Sequence, residues 1–242
     1  MQVQVEVQRA AESLAREPRF WTPAAHLAAT TLFGGSIFLA KALLLRHLTP
    51  RELLFGLFVL LFSNVVEWRA HRTLLHRRTW PLPVLYDRHT PEHHMIDVRD
   101  DMAMRSSREF RLVLIPAYGI VAIFCATVPF LAALWLFGQR DLAAVFAMSA
   151  MLYVVSYEWL HLAYHLPATS RIGSWAPVPA LRTHHAIHHD PRLMQRWNFN
   201  VTLPLWDLIA GTHLSAREAE AEAEAEAEAE AEAEAEARDT GL

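Results

Sequence analysis

The chain has 242 residues, 53% of them hydrophobic and 20% charged, yet 14 are histidines. Its one cysteine, Cys125, excludes a disulfide framework, a cysteine-based zinc site and an iron–sulfur cluster held within this chain. The formal net charge of -4 belongs to the C-terminal end, where residues 217–242 hold ten glutamates and Asp239 against Arg217 and Arg238, so the remainder is modestly positive. Such a scattered excess gives no basis for a nucleic-acid partner.

In chain order, residues 1–24 form an N-terminal segment carrying Glu6, Glu12 and Glu17. These acids, and the length of the apolar run that follows, argue against a signal peptide. Four weakly charged runs then predict spanning helices over about residues 26–45, 53–68, 112–138 and 142–160, to be compared with the roughly 17–25 residues a span requires. Lys41 stands near the end of the first, where its stem can carry the ammonium to the interface. Pro116 and Pro129 in the third are expected as tolerated kinks. The second and fourth are short and continue without a stop into histidine-bearing sequence, so their last turns are expected to emerge into water.

Nine arginines (69, 72, 77, 78, 88, 99, 105, 108 and 111) lie between the second and third spans, whereas the opposite turns hold Arg46, Arg51 and Arg140. The positive-inside rule places that long loop and both termini in the cytoplasm. Lys41 is the single lysine among 22 basic residues, a bias that points to a GC-rich bacterial genome and hence to the bacterial inner membrane. The expected fold is an all-α integral-membrane domain over residues 25–216, with four spans and a helical cytoplasmic cap.

Nearly all the histidines fall in the two cytoplasmic segments, in four groups: His71 and His76, five apart; His89, His93 and His94; His161 and His165; and His185, His188 and His189. On an α-helix a separation of four places side chains about 40° apart and a separation of three about 60°. The last three groups can each present imidazoles on one face, whereas His71 and His76 would diverge by about 140°. Pro91 implies that the His89 group straddles a helix start. His26, His47 and His213 fit no group and read as structural.

Imidazole suits iron, zinc, copper and nickel. Ten ligands are too many for one ion, and divided between two they leave a position open on each, which favours a dinuclear site. Metal-bound imidazoles usually donate their second N–H to a carboxylate or carbonyl. Glu67, Glu158 and Asp190 are the nearest carboxylates in sequence, and Asn198, Asn200 and Asp207 are further candidates for orienting ligands.

These groups, in this order and interrupted by one long apolar hairpin, resemble the fatty acid hydroxylase and sterol desaturase superfamily of integral-membrane di-iron enzymes. The segment running from Trp197-Asn-Phe-Asn-Val-Thr through Pro204-Leu-Trp-Asp207 to Gly211-Thr212 is similar to that family's closing signature. The resemblance covers roughly residues 55–213. It implies a histidine-walled centre of two iron ions that uses O2 and two electrons to hydroxylate a lipid, with desaturation second. The ligands it implies are His71, His76, His89, His93, His94, His161, His165, His185, His188 and His189, with His184 available in place of His185. Its substrate would enter from the bilayer. No His-Pro-Gly-Gly segment precedes the first span, so electrons are expected from a separate redox protein, a ferredoxin or a cytochrome b5-like carrier.

Two alternatives stand beside this reading. One is sterol or carotenoid modification by the same centre; the other is a non-catalytic membrane protein that binds metal or haem. Histidines clustered beyond the span ends, and not along them, argue against the second. Residues 217–242 are mostly an Ala-Glu repeat, which favours helix over strand but sets like charges four residues apart. A solvated appendage, partly helical or disordered, is expected there.

Overall fold

The computed structural model describes residues 23–94, 102–104, 109–225 and 229. The N-terminal segment 1–22, Arg99, Arg105, Arg108 and most of the Ala-Glu tail lie outside the described residues. Among the described residues the chain is all-helical, with no strand. The long helices are α1 (Pro23–Leu44), α2 (Pro50–Ala70), α5 (Ala117–Leu136) and α6 (Arg140–Tyr164). Between α2 and α5 come a π-helical turn (His71–Leu75), α3 (Pro83–Asp87), a second π-helical turn (Arg88–His94) and α4 (Phe110–Val113). After α6 come α7 (Pro177–His189) and α8 (Leu205–Ala210), and residues 216–225 are helical.

Four segments, Ala24–Leu44, Pro50–Leu75, Tyr118–Leu136 and Arg140–Tyr164, are long and apolar enough to cross a membrane. The third span starts later than residue 112. Pro116 restricts Ile115 to an extended conformation, so α4 stops at Val113 and α5 restarts after Pro116. Pro116 thus begins a span and does not kink one, whereas Pro129 lies inside α5. Large apolar side chains remain exposed along α2, among them Leu57, Phe58, Leu61 and Phe62. A stripe of that kind is what a hydrocarbon environment accommodates and water does not.

The central helix is α6, against which α1 and α2 chiefly pack. Glycines permit the approach: a Cβ on Gly34 would meet Val155 Cγ2 at 2.6 Å, and one on Gly56 would meet Val145 Cγ1 at 3.1 Å. At the opposite end from the histidines, Thr49 and Glu52 form a capping box that starts α2. There Arg51 donates to Gln139 at 2.8 Å and the Arg46 N–H to Asp141 at 2.9 Å, which joins the two short turns. At the histidine end, Tyr164, Val178 and Val201 form a buried cluster that docks α7 and the 198–202 segment onto the end of α6.

Candidate metal centre

Where α2 leaves the bundle, its winding loosens into the π-helical turn His71–Leu75. A π-helix closes i→i+5 bonds at roughly 4.4 residues per turn, which turns a five-residue separation from about 140° into about 50°. His71 and His76 therefore stack, with ring centroids 5.1 Å apart. The second widened turn has a visible cause. Pro91 lacks an N–H, and its ring would meet the carbonyl of Asp87, where α3 ends. Pro91 sits inside this widened helix and not at a helix start as the sequence suggested.

The same widening sorts the His89 group. His89 Nε2 lies 3.0 Å from His94 Nε2, while His93 turns away towards α6, its Nε2 3.1 Å from His161 Nε2. On α7, His189 and His188 lie about 40° and 60° to either side of His185. His189 stays with His185, Nε2 to Nε2 at 3.0 Å, and His188 crosses to His76 at 2.9 Å. The faces expected from spacing are thus split, and the outcome is two groups of five. His71, His76, His89, His94 and His188 form one; His93, His161, His165, His185 and His189 form the other. Within each, the ligand atoms lie within 4.8 Å of one another, and all ten residues are buried.

Burial, reinforced by neighbouring imidazoles, holds His89, His93, His94, His185, His188 and His189 well below the ordinary histidine range. His76 falls to about 2 and His165 to about 4, again chiefly through burial. The rings are neutral, so each carries one N–H and one lone pair.

Backbone carbonyls decide which nitrogen keeps the proton. His71 Nδ1 donates to the Phe199 carbonyl, His188 Nδ1 to that of Trp197 at 2.8 Å and His165 Nδ1 to that of Met102 at 3.0 Å. Thr90 gives its own proton to the Leu75 carbonyl at 2.7 Å and is left as an acceptor 3.4 Å from His76 Nδ1. His76 and His188 consequently aim two Nε2 lone pairs at each other across 2.9 Å. Such a pair is repulsive unless a cation lies between them. Neighbouring ligands on an octahedral ion with bonds of ~2.1 Å stand about 3.0 Å apart, and the Nε2 pairs fall between 2.8 and 3.3 Å. The donor set fits two metal ions, one in each group.

The carboxylates nearest in sequence are engaged elsewhere. Glu67 accepts from the Val201 and Thr202 N–H groups and from the Thr202 and Tyr153 hydroxyls, not from His71. Glu158 accepts the Ile115 N–H at 2.9 Å, and its other oxygen lies 3.9 Å from His26 Nε2. Asp190 chelates Arg192, whose guanidinium holds it below the usual carboxylate range. Asp207 takes the N–H groups of Phe199 and Asn200 at 3.0 and 2.7 Å and lies 3.3 Å from His184 Nε2. Asn198, in the left-handed region at φ 58°, bridges the His184 and Leu214 carbonyls, and Asn200 reaches the Asn64 carbonyl. Glu67, Asp207, Asn198 and Asn200 thus act on the loop that supplies the Phe199 and Trp197 carbonyls, and Glu158 and Asp190 bond elsewhere.

Among the other histidines, His184 stacks on His213, His26 binds the Ile115 carbonyl at 2.9 Å and His47 is exposed. None joins either group. The sequence gave no sign of Thr90 or of the three accepting carbonyls, because a carbonyl belongs to every residue.

With this geometry in place, the chain matches the fatty acid hydroxylase family over residues 56–212. It belongs to that family. All ten clustered histidines lie within the matched stretch, as does the 198–212 loop that orients His71. The fatty acid hydroxylase family, part of the fatty acid hydroxylase and sterol desaturase superfamily, consists of oxidoreductases of the hydroxylase and desaturase type. No curated protein and no solved structure matches the chain.

Proposed function

We propose that the protein is a membrane-embedded di-iron oxygenase that hydroxylates a C–H bond of a lipid, an acyl chain or a related hydrocarbon, with O2 and two electrons. The observation that carries this reading is the pair of buried, all-imidazole groups at the ends of apolar spanning helices. Imidazole is a neutral ligand, and burial of the groups excludes water, both of which oxidative chemistry on an inert bond requires. Bound there, two iron ions supply the activation of dioxygen. The protein's part is to fix the ligands: α2 and α6 carry His71, His161 and His165 to the bilayer surface, and the Phe199, Trp197 and Met102 carbonyls set the tautomers of His71, His188 and His165 respectively.

Five imidazoles per ion leave room for oxygen or substrate on each. The ends of α2 and α6 also adjoin the apolar surface from which a lipid substrate would come. In this proposal the histidine end faces the cytoplasm of a bacterium, as the arginine distribution favours, and a separate ferredoxin or cytochrome b5-like protein delivers the electrons.

The test is lipid profiling of a host with and without the gene, together with the His188→Ala variant. A product heavier by one oxygen that disappears with the variant supports the hydroxylase. A product lighter by two hydrogens assigns desaturation instead. Purified protein holding less than one transition metal per chain after iron-replete growth refutes the di-iron reading.

A further inference from the structure

The segment from Asn198 to Thr212 is irregular apart from the six residues of α8, and its one charged residue, Asp207, is fully buried. Phe199 and Val201 face inward, whereas from 203 onward Leu203, Leu205, Leu208 and Ile209 are 49, 40, 60 and 70% exposed. Two contacts fix how far along α2 it lies. Asn64 donates to the Leu203 carbonyl at 2.9 Å and accepts the Trp206 N–H at 3.0 Å.

Exposed Arg51 and Arg69 bracket α2, and the rise from one to the other is about 27 Å at 1.5 Å per residue, close to the roughly 30 Å of a hydrocarbon layer. Asn64 stands five residues inside Arg69, about 7 Å along the axis towards the bilayer centre. α8 packs on α2, whose Leu61, Phe62 and Val66 are likewise exposed. Exposed Arg196 and Arg217 flank the segment in sequence, Arg196 pairing with Glu222 at 3.1 Å.

We propose that residues 203–209 form a re-entrant element that dips below the headgroups, with Leu203, Leu205, Leu208 and Ile209 in contact with lipid acyl chains. The inference rests on the membrane-spanning reading of α2. Irregular backbone survives at such depth only where its polar groups are met by protein, and here they are. The Glu67 carboxylate takes the N–H groups of Val201 and Thr202. The Asp207 carboxylate takes those of Phe199 and Asn200, Asn200 Oδ1 takes that of Asp207 at 3.2 Å, and Asn64 takes that of Trp206. Leu208 closes onto the Pro204 carbonyl at 3.1 Å, and Pro204 brings no N–H of its own. Four polar side chains close to the lipid boundary, Asn64, Glu67, Asn200 and Asp207, thus satisfy this backbone.

The test uses the full chain carrying Cys125→Ser and one new cysteine, Ile209→Cys or Leu208→Cys, labelled with bimane in detergent and reconstituted into phosphatidylcholine nanodiscs. Leu61→Cys serves as the lipid-facing reference and Gln195→Cys as the aqueous one. The expected result is quenching at 208 and 209 by phospholipid with a doxyl-labelled chain and protection from aqueous iodide, in the ratio seen at 61 and inverse to that at 195. Iodide quenching equal to that at 195 overturns the proposal, and so does quenching by neither agent, which would mean that protein covers this face. Iodide quenching at 61 itself refutes the spanning reading of α2, a separate failure.

Discussion

Glu67→Gln tests the claim that the loop behind the metal ligands hangs on one carboxylate. Glu67 receives four donors, the Val201 and Thr202 N–H groups and the Thr202 and Tyr153 hydroxyls, with the Thr202 hydroxyl at 2.6 Å. Glutamine retains a single acceptor oxygen and no charge. Hydrogen bonds to a charged acceptor contribute about 1.5–3 kcal/mol each against roughly 0.5–1.5 for neutral ones, so four weakened bonds sum to about 3 kcal/mol after the partial exposure of the site is discounted. For a chain of this size that lowers the melting midpoint by about 6–12 °C. The looser loop also releases the Phe199 carbonyl from His71 Nδ1, a change of partner that typically lowers metal affinity about 10–100-fold. Thermal unfolding in detergent gives the first quantity, and competition of bound iron with a chelator gives the second. A midpoint within about 2 °C of the parent and an unchanged competition curve would refute the reasoning.

Removing one ligand from each group separates the two sites: His94→Ala and His161→Ala should each reduce the metal content from two towards one per chain, measured by elemental analysis, and the double variant should hold little metal. Thr90→Val removes the acceptor beside His76 Nδ1 and should weaken one site by about 10–100-fold while the other is nearly unchanged, which biphasic chelator titration reads. Arg182 donates to the Ala163 and Leu166 carbonyls at 3.1 and 2.7 Å, closing the end of the helix that carries His161. Arg182→Met should destabilise the protein by about 2–4 kcal/mol, seen as a lowered melting midpoint, with iron retained at low temperature.

The spans and the ten histidines were legible because each rests on a strong periodic or compositional signal: long uncharged runs, and imidazoles at three-, four- and five-residue spacing. Their partition was not. An ideal α-helix would separate His71 from His76 and His89 from His94, and the widened turns at His71–Leu75 and Arg88–His94 bring each five-residue pair together. The orienting residues were misread for a related reason. Glu67, one helical turn before His71, shares its face in projection, yet the 199–202 segment packs there and takes the carboxylate. Proximity in sequence says nothing about which distant strand of chain will arrive with unpaired N–H groups, or which carbonyl will come with it.

The partition also couples the two sites mechanically. The π-helical turn Arg88–His94 sends His89 and His94 to one group and His93 to the other, and α7 sends His188 to one and His185 and His189 to the other. Adjacent residues thus belong to different groups, and the His94 and His189 rings from opposite groups stack with centroids 4.3 Å apart. A rotation of α7 that lengthens one set of bonds must shift the second, since His188 and His189 share a peptide bond. α2 and α6, by contrast, each serve one group alone. The two shared elements of the cap therefore set the spacing between the two histidine groups, while α2 and α6 fix where each group meets the apolar spans. A substitution that shifts the backbone of a shared element should disturb both groups together, whereas removal of a single ligand or its hydrogen-bond partner, as at His94 or Thr90, or a change at the end of α2 or α6, should act first on one group.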